Sequence, residues 1–459
     1  MRTIDTEIAV VGGGIAGIAV AYYLAVKHRR RGVLIVEAGQ PMGFTTAQSG
    51  ENYRDWWPHP LMARFTGRSI TLMEEIARDS GNVLHMTRGG YALATRHGAV
   101  DDLLDRLLAG YGAAEAGAIR VRAGHDAADS LDSYVPPAPE PWQAAPGGVD
   151  VLTQRSAIER YFPQFDPAVS AVLHIRRAGD ISVQQLGQYM LDRHKACGGR
   201  LVSGQVRAIE HASTFRLAVA GDRPCAVRAD ILVNAAGPFL NAIAGMLDRA
   251  LPVENILHQK IAFEDRAGAI PRRAPFSVDL DPQVLDWSAE DRQLLLEDDG
   301  TAWLAERFSG GVHCRPDGGL QGRWVKLGWA YNTQASEPVW TPPLHPHFPD
   351  IVLRGAAALH PALKTYYAGL PMPLSHYGGY YTMTRENWPL IGPMGIDGAF
   401  MVGALSGFGT MAACAAGELC ADWIAGDPLP DYAHALSLAR YEDRALMAEI
   451  EALGSKGVL

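Results

Sequence analysis

EIAVVGGGIAGIAVAYYLAVKHRRRGVLIVE, residues Glu7 to Glu37, decides how the chain folds. Ile8 to Val11 is a short unbroken apolar run, which suits a parallel strand covered on both faces. Gly12, Gly14 and Gly17 follow in G-x-G-x-x-G spacing. The first allows a tight turn, the second lets a pyrophosphate approach the backbone, and the third lets helix and strand pack closely. Ile15, Ile18, Ala19, Tyr22 and Val26 recur at helical spacing, so the free N–H groups at the helix start, around Ile15 and Ala16, point at the glycine turn and form an anion site. A second apolar run, Val33 to Val36, ends in Glu37, twenty residues beyond Gly17, where an acid is needed for ribose hydroxyls. The plainer reading is a tight strand-to-helix turn. It does not account for strand, turn, helix, strand and acid falling in order, so the stretch is read as a dinucleotide site. FAD and NAD both fit it.

Outward from that stretch, 459 residues exceed what one hydrophobic core usually serves, roughly 250 to 300 residues. Two domains are expected. Hydrophobic residues at 48% and charged residues at 20% describe an ordinary globular protein, and a net charge of -9 speaks against nucleic acid as a partner. The basic run Lys27 to Arg31 suits the C-terminal end of the first helix. Five cysteines without framework or metal spacing, and a strand that begins within a few residues of Met1, fit a cytoplasmic protein without a signal peptide. Gly398 to Gly417 is uncharged over twenty residues, but five of these are glycine; strand, turn and buried helix are expected, not a membrane span.

In chain order, Gly43 to Pro60 opens with small and hydroxylated residues suited to a loop beside a ligand. Tyr53, Arg54, Trp56, Trp57 and His59 follow, as pocket wall or as surface packing. Leu61 to Asp79 reads as a helix and Gly89 to Ala94 as a strand; residues 124 to 150, rich in Pro, Ala and Gly, read as a surface excursion. Ser182 to Cys197 is helical, strands are expected over Leu201–Ile209, Thr214–Val219, Ala226–Ala229 and Ile231–Val233, and Asn234 to Phe239 (NAAGPF) makes another strand-end turn. Residues 250 to 378 are dense in Trp, Tyr, His and Pro, with strands over Gly311–Arg315 and Arg323–Tyr331, and read as a mixed antiparallel sheet roofing the cofactor. Phe400 to Thr410 repeats strand and glycine turn before a small-residue helix, and the tail beyond Asp427 reads as helical. The fold class expected is α/β: a Rossmann-like cofactor domain of residues 1–88, 150–249 and 379–459, with a substrate domain of residues 89–149 and 250–378 inserted in the chain.

With both ends in view, the chain resembles the D-amino-acid oxidase superfamily of FAD enzymes, most closely its sarcosine oxidase and dimethylglycine oxidase-like branch. GGGIAG with Glu37, TTAQSG, NAAGPF, KLGW around Lys326, YYTMTRENWPLIGP and GALSGFGT carry the resemblance, in family order over nearly the whole chain. It implies FAD, held by Gly12, Gly14, Ile15, Ala16, Gly17, Glu37, Thr45, Thr46, Ser49, Gly50, Val206, Ala236, Gly237, Gly379, Gly407, Phe408, Gly409 and Thr410, with the Val206 backbone meeting adenine. It implies Lys326 beside the flavin, promoting reaction with oxygen, and Tyr381 on the substrate side. Three positions depart from the family pattern. Gly379 stands where a cysteine links flavin covalently, Ala330 where a histidine follows the KLG lysine, and Met411 where a lysine binds the substrate carboxylate.

The expected activity is oxidation of a small amine or amino acid at its C–N bond, with non-covalent FAD, an imine product and electrons passing to O2 as H2O2. The alternatives are a dehydrogenase using a quinone or carrier protein, and a flavin-binding scaffold without turnover. Trp56, Trp57, Tyr377, Tyr380 and Tyr381 are expected as aromatic walls around an alkylammonium group. Arg54 or Arg315 is the expected fork for a carboxylate, against pairing of Arg54 with Asp55 or Glu51 and a structural strand end at Arg315. Alternation sets Lys326 and Gly328 opposite Val325 and Leu327, toward the flavin, against the ordinary fate of a strand lysine at a solvated edge.

Overall fold

A computed structural model describes residues 2–98, 100–111, 117–122 and 131–452. Arg2–Val11 lies at the centre of an eight-stranded sheet, parallel to Val33–Glu37 on one side and to Cys225–Asn234 on the other. The apolar run of this strand is sealed on both faces, with Ile8, Ala9 and Val10 fully buried. Helix Ile15–Val26 leaves directly from the glycine turn. Against it lies helix Gly409–Ala425, so closely that a Cβ on Gly417 would fall 2.5 Å from the Ala19 Cβ. The small residues of both helices permit that approach. Both helices start at the carboxyl ends of parallel strands, Arg2–Val11 and Ala399–Gly403, and so open on the same edge of the sheet.

The second sheet has nine strands, in the order Ser375–Met383, Glu254–Glu264, Trp324–Trp329, Val312–Asp317, Phe276–Asp279, Tyr91–Thr95, Ala171–Ile175, Val149–Leu152 and Ile119–Val121. Its alternation decides its function. Ile261, Phe263, Val312, Cys314, Val325 and Leu327 form one face and pack under helix Phe348–Leu359. The opposite face carries the alternate residues His258, Lys260, His313, Arg315, Lys326 and Gly328; register sets Lys260 opposite Gly328 and Gly328 opposite His313, with Lys326 opposite Arg315 one level away.

Several boundaries differ from the sequence reading. Ala226–Ala229 and Ile231–Val233 are one strand, Cys225–Asn234, pairing antiparallel at its start and parallel at its end. Leu201–Ile209 is broken at Gly204, where a Cβ would meet the Val219 side chain at 2.5 Å. Residues 150–152 and Ala171–Ile175, which fall in the cofactor half of the sequence reading, pair in the nine-stranded sheet, so the chain crosses back near Ala178–Asp180. Of the excursion expected over 124–150, residues 124–130 lie outside the described residues; two short 3-10 turns, Leu131–Ser133 and Trp142–Ala144, lead to Val149. Beyond Asp427 the chain is mostly turn until helix Arg444–Ala452. No described helix is long and apolar enough to cross a membrane. All five cysteines are free thiols.

Candidate functional site

The two sheets enclose a cleft with about 1090 Å³ of empty space, part of it open to solvent. Its walls include Gly12, Gly14, Ile15, Ala16, Glu37, Thr45, Thr46, Ser49, Gly50, Ala236, Gly237, Gly379, Gly407, Gly409 and Thr410. Gly17 stays behind the wall; a Cβ there would sit 2.0 Å from the Gly12 carbonyl oxygen, so its role is helix packing, as the motif requires. Glu37 accepts from the Gly13 N–H at 2.6 Å and from the Gly39 N–H at 2.7 Å, which fixes the carboxylate at the far end of the cleft. Thr46 Oγ1 accepts from the Ile15 N–H at 3.1 Å, and Ser49 and Thr410 share a hydrogen bond of 2.6 Å that joins the hydroxylated loop to the second helix.

These walls fit FAD. Neither N-cap residue, Gly14 or Phe408, caps its helix with its own side chain, and Thr46 takes the Ile15 N–H of the first, so the remaining N–H groups of two helix N-termini open on one cleft. Thr45 Oγ1 is buried in the wall without a partner among the described residues, and Gly237, at φ +54, leaves open space where any other residue would project a side chain. The volume suits a large ligand; sites for small molecules and cofactors run to roughly 1,000 Å³.

A second cavity, about 780 Å³ with its open part, adjoins the cleft and shares Ser49, Gly50, Lys260, Tyr381, Ser406 and Gly407 with it. Its further lining is mostly apolar, from Trp57, Tyr91, Phe276, Val278, Ala330, Phe408 and Met411, together with Glu51, Arg54, His313 and Asn387. Arg54 stands among the aromatic rings of this chamber. Its guanidinium carbon lies 5.6 to 5.9 Å from the ring centroids of Trp56, Trp57 and Tyr91, and Nε donates to the Trp56 carbonyl at 3.1 Å. Met411, at the family's lysine position, accepts from the Arg54 backbone N–H through Sδ at 3.3 Å. Tyr381 packs over Gly407, where a Cβ would fall 2.4 Å from its ring, and stands 4.3 Å from the His258 ring.

Other residues singled out from sequence lie elsewhere. Lys326 lines neither cavity: its Nζ is bound to Glu51 Oε2 at 2.9 Å and Asp317 Oδ1 at 3.2 Å. It faces the correct side of its strand but sits two residues too far along it. The lysine that does enter both cavities is Lys260 on the neighbouring strand, 7% exposed, with Nζ 3.4 Å from the Gln48 carbonyl and 5.6 Å from the Tyr381 ring centre. Arg315 is likewise engaged, with Asp317 at 2.9 Å and the Gly50 carbonyl at 3.1 Å, and it braces the Gly50 loop from behind. Although burial pushes the Asp317 carboxyl up, Arg315 and Lys326 hold it below the usual carboxylate range. Val206 is packed in the core with Val11 and Val36 and does not line the cleft.

Of the aromatic cluster, only Arg54 and Trp57 reach the second cavity. Tyr53 donates to the Thr87 carbonyl, Trp56 backs onto Gly110, and His59 caps helix Pro60–Asp79 by accepting from the Leu61 N–H. Tyr380 points into the cleft from the other side of its strand, donating toward the Glu337 carbonyl, while Tyr377 lines neither cavity. The sequence reading missed Lys260, His313, Tyr91 and Phe276. A signal existed for Lys260: a lone cation in HQKIAFE, where Ile261 and Phe263 alternate as core.

Comparison with known proteins agrees with this architecture. The fold is similar to that of L-proline dehydrogenase from P. horikoshii, with TM-score 0.71 and 18% identity over 96% of this chain and 99% of that one. Glycine oxidase from Geobacillus kaustophilus follows at 0.67 and 17%, covering 95% and 99%, and iminodiacetate oxidase from Chelativorans sp. BNC1 at 0.67 and 18%, covering 94% and 98%. No curated protein sequence matches the chain. Residues 7–423 match the family model described as FAD dependent oxidoreductase, and the chain belongs to that family.

Proposed function

We propose that this FAD-dependent oxidoreductase oxidises the C–N bond of an amino acid with an apolar side chain and passes the electrons to O2. The observation that carries this reading is the second cavity: it joins the cofactor cleft through Lys260, Tyr381 and Gly407, it is apolar over most of its wall, and it holds one arginine in an aromatic box. Similar folds bear the names of a proline dehydrogenase, a glycine oxidase and an iminodiacetate oxidase, which favours an amino-acid or amine substrate. Arg54 is the residue proposed to fork onto the carboxylate. Trp57, Tyr91, Phe276 and Met411 would take an apolar side chain and exclude water.

FAD supplies the two-electron acceptor for the C–N bond when it is bound in the cleft. Ile15, Ala16 and the Gly409–Thr410 helix start would hold its phosphates and Glu37 its ribose, with Gly379 and Gly407 leaving room for its ring system. The reaction balances as amine plus O2 giving imine plus H2O2; water then hydrolyses the imine. Lys260 is proposed in the role that the sequence reading gave to Lys326: a fixed positive charge in a water-poor site that stabilises the anion formed as O2 is reduced. Anaerobic addition of apolar amino acids to the holoenzyme should bleach the flavin, and air should restore the colour. Bleaching without recovery in air would instead favour a dehydrogenase with a quinone or carrier acceptor.

A further inference from the structure

His313 lies on the cavity face of Val312–Asp317, opposite Gly328, and lines the substrate chamber. Its Nδ1 is 3.1 Å from the Gly311 carbonyl. A carbonyl only accepts, so Nδ1 carries the hydrogen and, in the neutral ring, Nε2 carries the lone pair. Among the described residues Nε2 has no protein hydrogen-bond partner. It reaches across the neighbouring strand because residue 328 has no side chain: a Cβ there would fall 2.3 Å from Nε2. The ring leans on Phe276, with centroids 5.2 Å apart.

The other groups facing this chamber do not offer a proton acceptor. Arg54 and Lys260 are cations, and the Tyr91 phenol is pushed well up by burial. Glu51 is committed, with Oε2 on Lys326 and Oε1 accepting from the Val183 N–H at 3.2 Å. Tyr381 is a phenol, and the Asn387 amide accepts hydrogen bonds without taking up a proton.

We propose that His313 Nε2 is the hydrogen-bond and proton acceptor for the substrate nitrogen, an inference that rests on the amino-acid reading of this cavity. An amino acid arrives as its ammonium form, and its nitrogen must regain a lone pair before the C–N bond can be oxidised. One N–H bond breaks, its electron pair stays on nitrogen, and the proton bonds to Nε2 and leaves from there to solvent. Burial, then Lys260, hold the His313 ring down to about 4, so it is neutral with Nε2 open throughout the working range, and a proton it takes is passed on readily. Lys260 and Arg54 disfavour a third positive charge on the substrate nitrogen and on His313 alike, so the proton passes on to solvent and does not stay in the chamber.

The test is anaerobic stopped-flow reduction of the holoenzyme by its best amino acid between pH 6 and pH 10, for wild type, His313→Leu, His313→Gln and Gly328→Ala. FAD content and the binding of benzoate, a carboxylate without nitrogen, are read in parallel from the flavin spectrum. For His313→Leu the flavin reduction rate at neutral pH should fall roughly 100-fold, in the range of a lost general base. The apparent pKa of reduction should move up toward that of the free amine, and benzoate affinity should stay within about twofold of wild type, since Arg54 is untouched. Gly328→Ala should reproduce the effect by displacing the ring. His313→Gln, which keeps an acceptor but no base, should stay slow. Normal reduction rate and unchanged pKa in His313→Leu, with wild type fully active, would overturn this inference alone. A wild type that no amino acid reduces would overturn the amino-acid reading and this inference with it.

Discussion

The roles proposed for Arg54, in the second cavity, and for Lys260, which lines both cavities, can each be tested by removing the charge. Arg54→Ala should raise the apparent KM for amino acids by roughly 10- to 100-fold, the loss expected of a charge-assisted hydrogen bond. A substrate amine without a carboxylate should be affected far less. Steady-state kinetics on matched amino acid and amine pairs would check this, and an equal effect on both would remove the carboxylate role. Lys260→Met should slow re-oxidation of the reduced flavin in air by about 100-fold, the scale of losing one group that stabilises an anion in a dry site. Lys326→Met should leave that rate within a fewfold of wild type, because its ammonium is occupied by Glu51 and Asp317 and lines neither cavity. Stopped-flow re-oxidation of both variants separates the two lysines; the reverse ranking would return the oxygen role to Lys326.

At the scale of elements, the outer roof strands are pinned by a buried carboxylate. Asp150 on Val149–Leu152 is 1% exposed and takes Arg120 at 2.7 Å, Arg122 at 2.7 Å and Arg176 at 3.0 Å. Burial alone would push Asp150 up, but the three arginines hold it below the usual carboxylate range. Its folded pKa is therefore depressed, so the stability it contributes is present above its unfolded value of about 3.9 and lost as pH falls through the folded value. Asp150→Asn should cost about 3–5 kcal/mol near neutral pH, since it removes the buried charge that Arg120, Arg122 and Arg176 share. It should also flatten the acid limb of the stability curve, a result that urea unfolding at several pH values would give or refuse. The elements near the cofactor were legible in the sequence because their signals are local: an apolar run, glycines at fixed spacing and an acid at the end of the next strand. The roof was legible only as a texture. Whether Lys260 or Lys326 reaches the cavity depends on which strands pair and in what register. Alternation gave the face of Lys326 correctly and could not give its distance along the sheet. Arg315 and His313 stand two residues apart on one strand and one face, yet one is spent on Asp317 and the other opens into the chamber.

At the scale of the whole molecule, the two large sheets enclose the cofactor cleft, so FAD should act as part of the structure when bound. Binding at about 100 times the dissociation constant should add about 2.7 kcal/mol to stability, seen as a rise in Tm with added FAD. Acid or heat should release all the yellow colour, because Gly379 offers no nucleophile and sits against Gln48, whose Cβ would lie 2.9 Å from an added Cβ. Flavin left on the precipitated protein would contradict this. The central claim, an amino-acid chamber joined to a flavin cleft, is tested most directly by anaerobic titration of the FAD-loaded enzyme with apolar amino acids and their decarboxylated amines, followed at the flavin absorbance. The account predicts full bleaching by at least one apolar amino acid, at lower concentration than by its amine, and return of the colour on admitting air. Fully loaded enzyme that no amino acid or amine bleaches would contradict it.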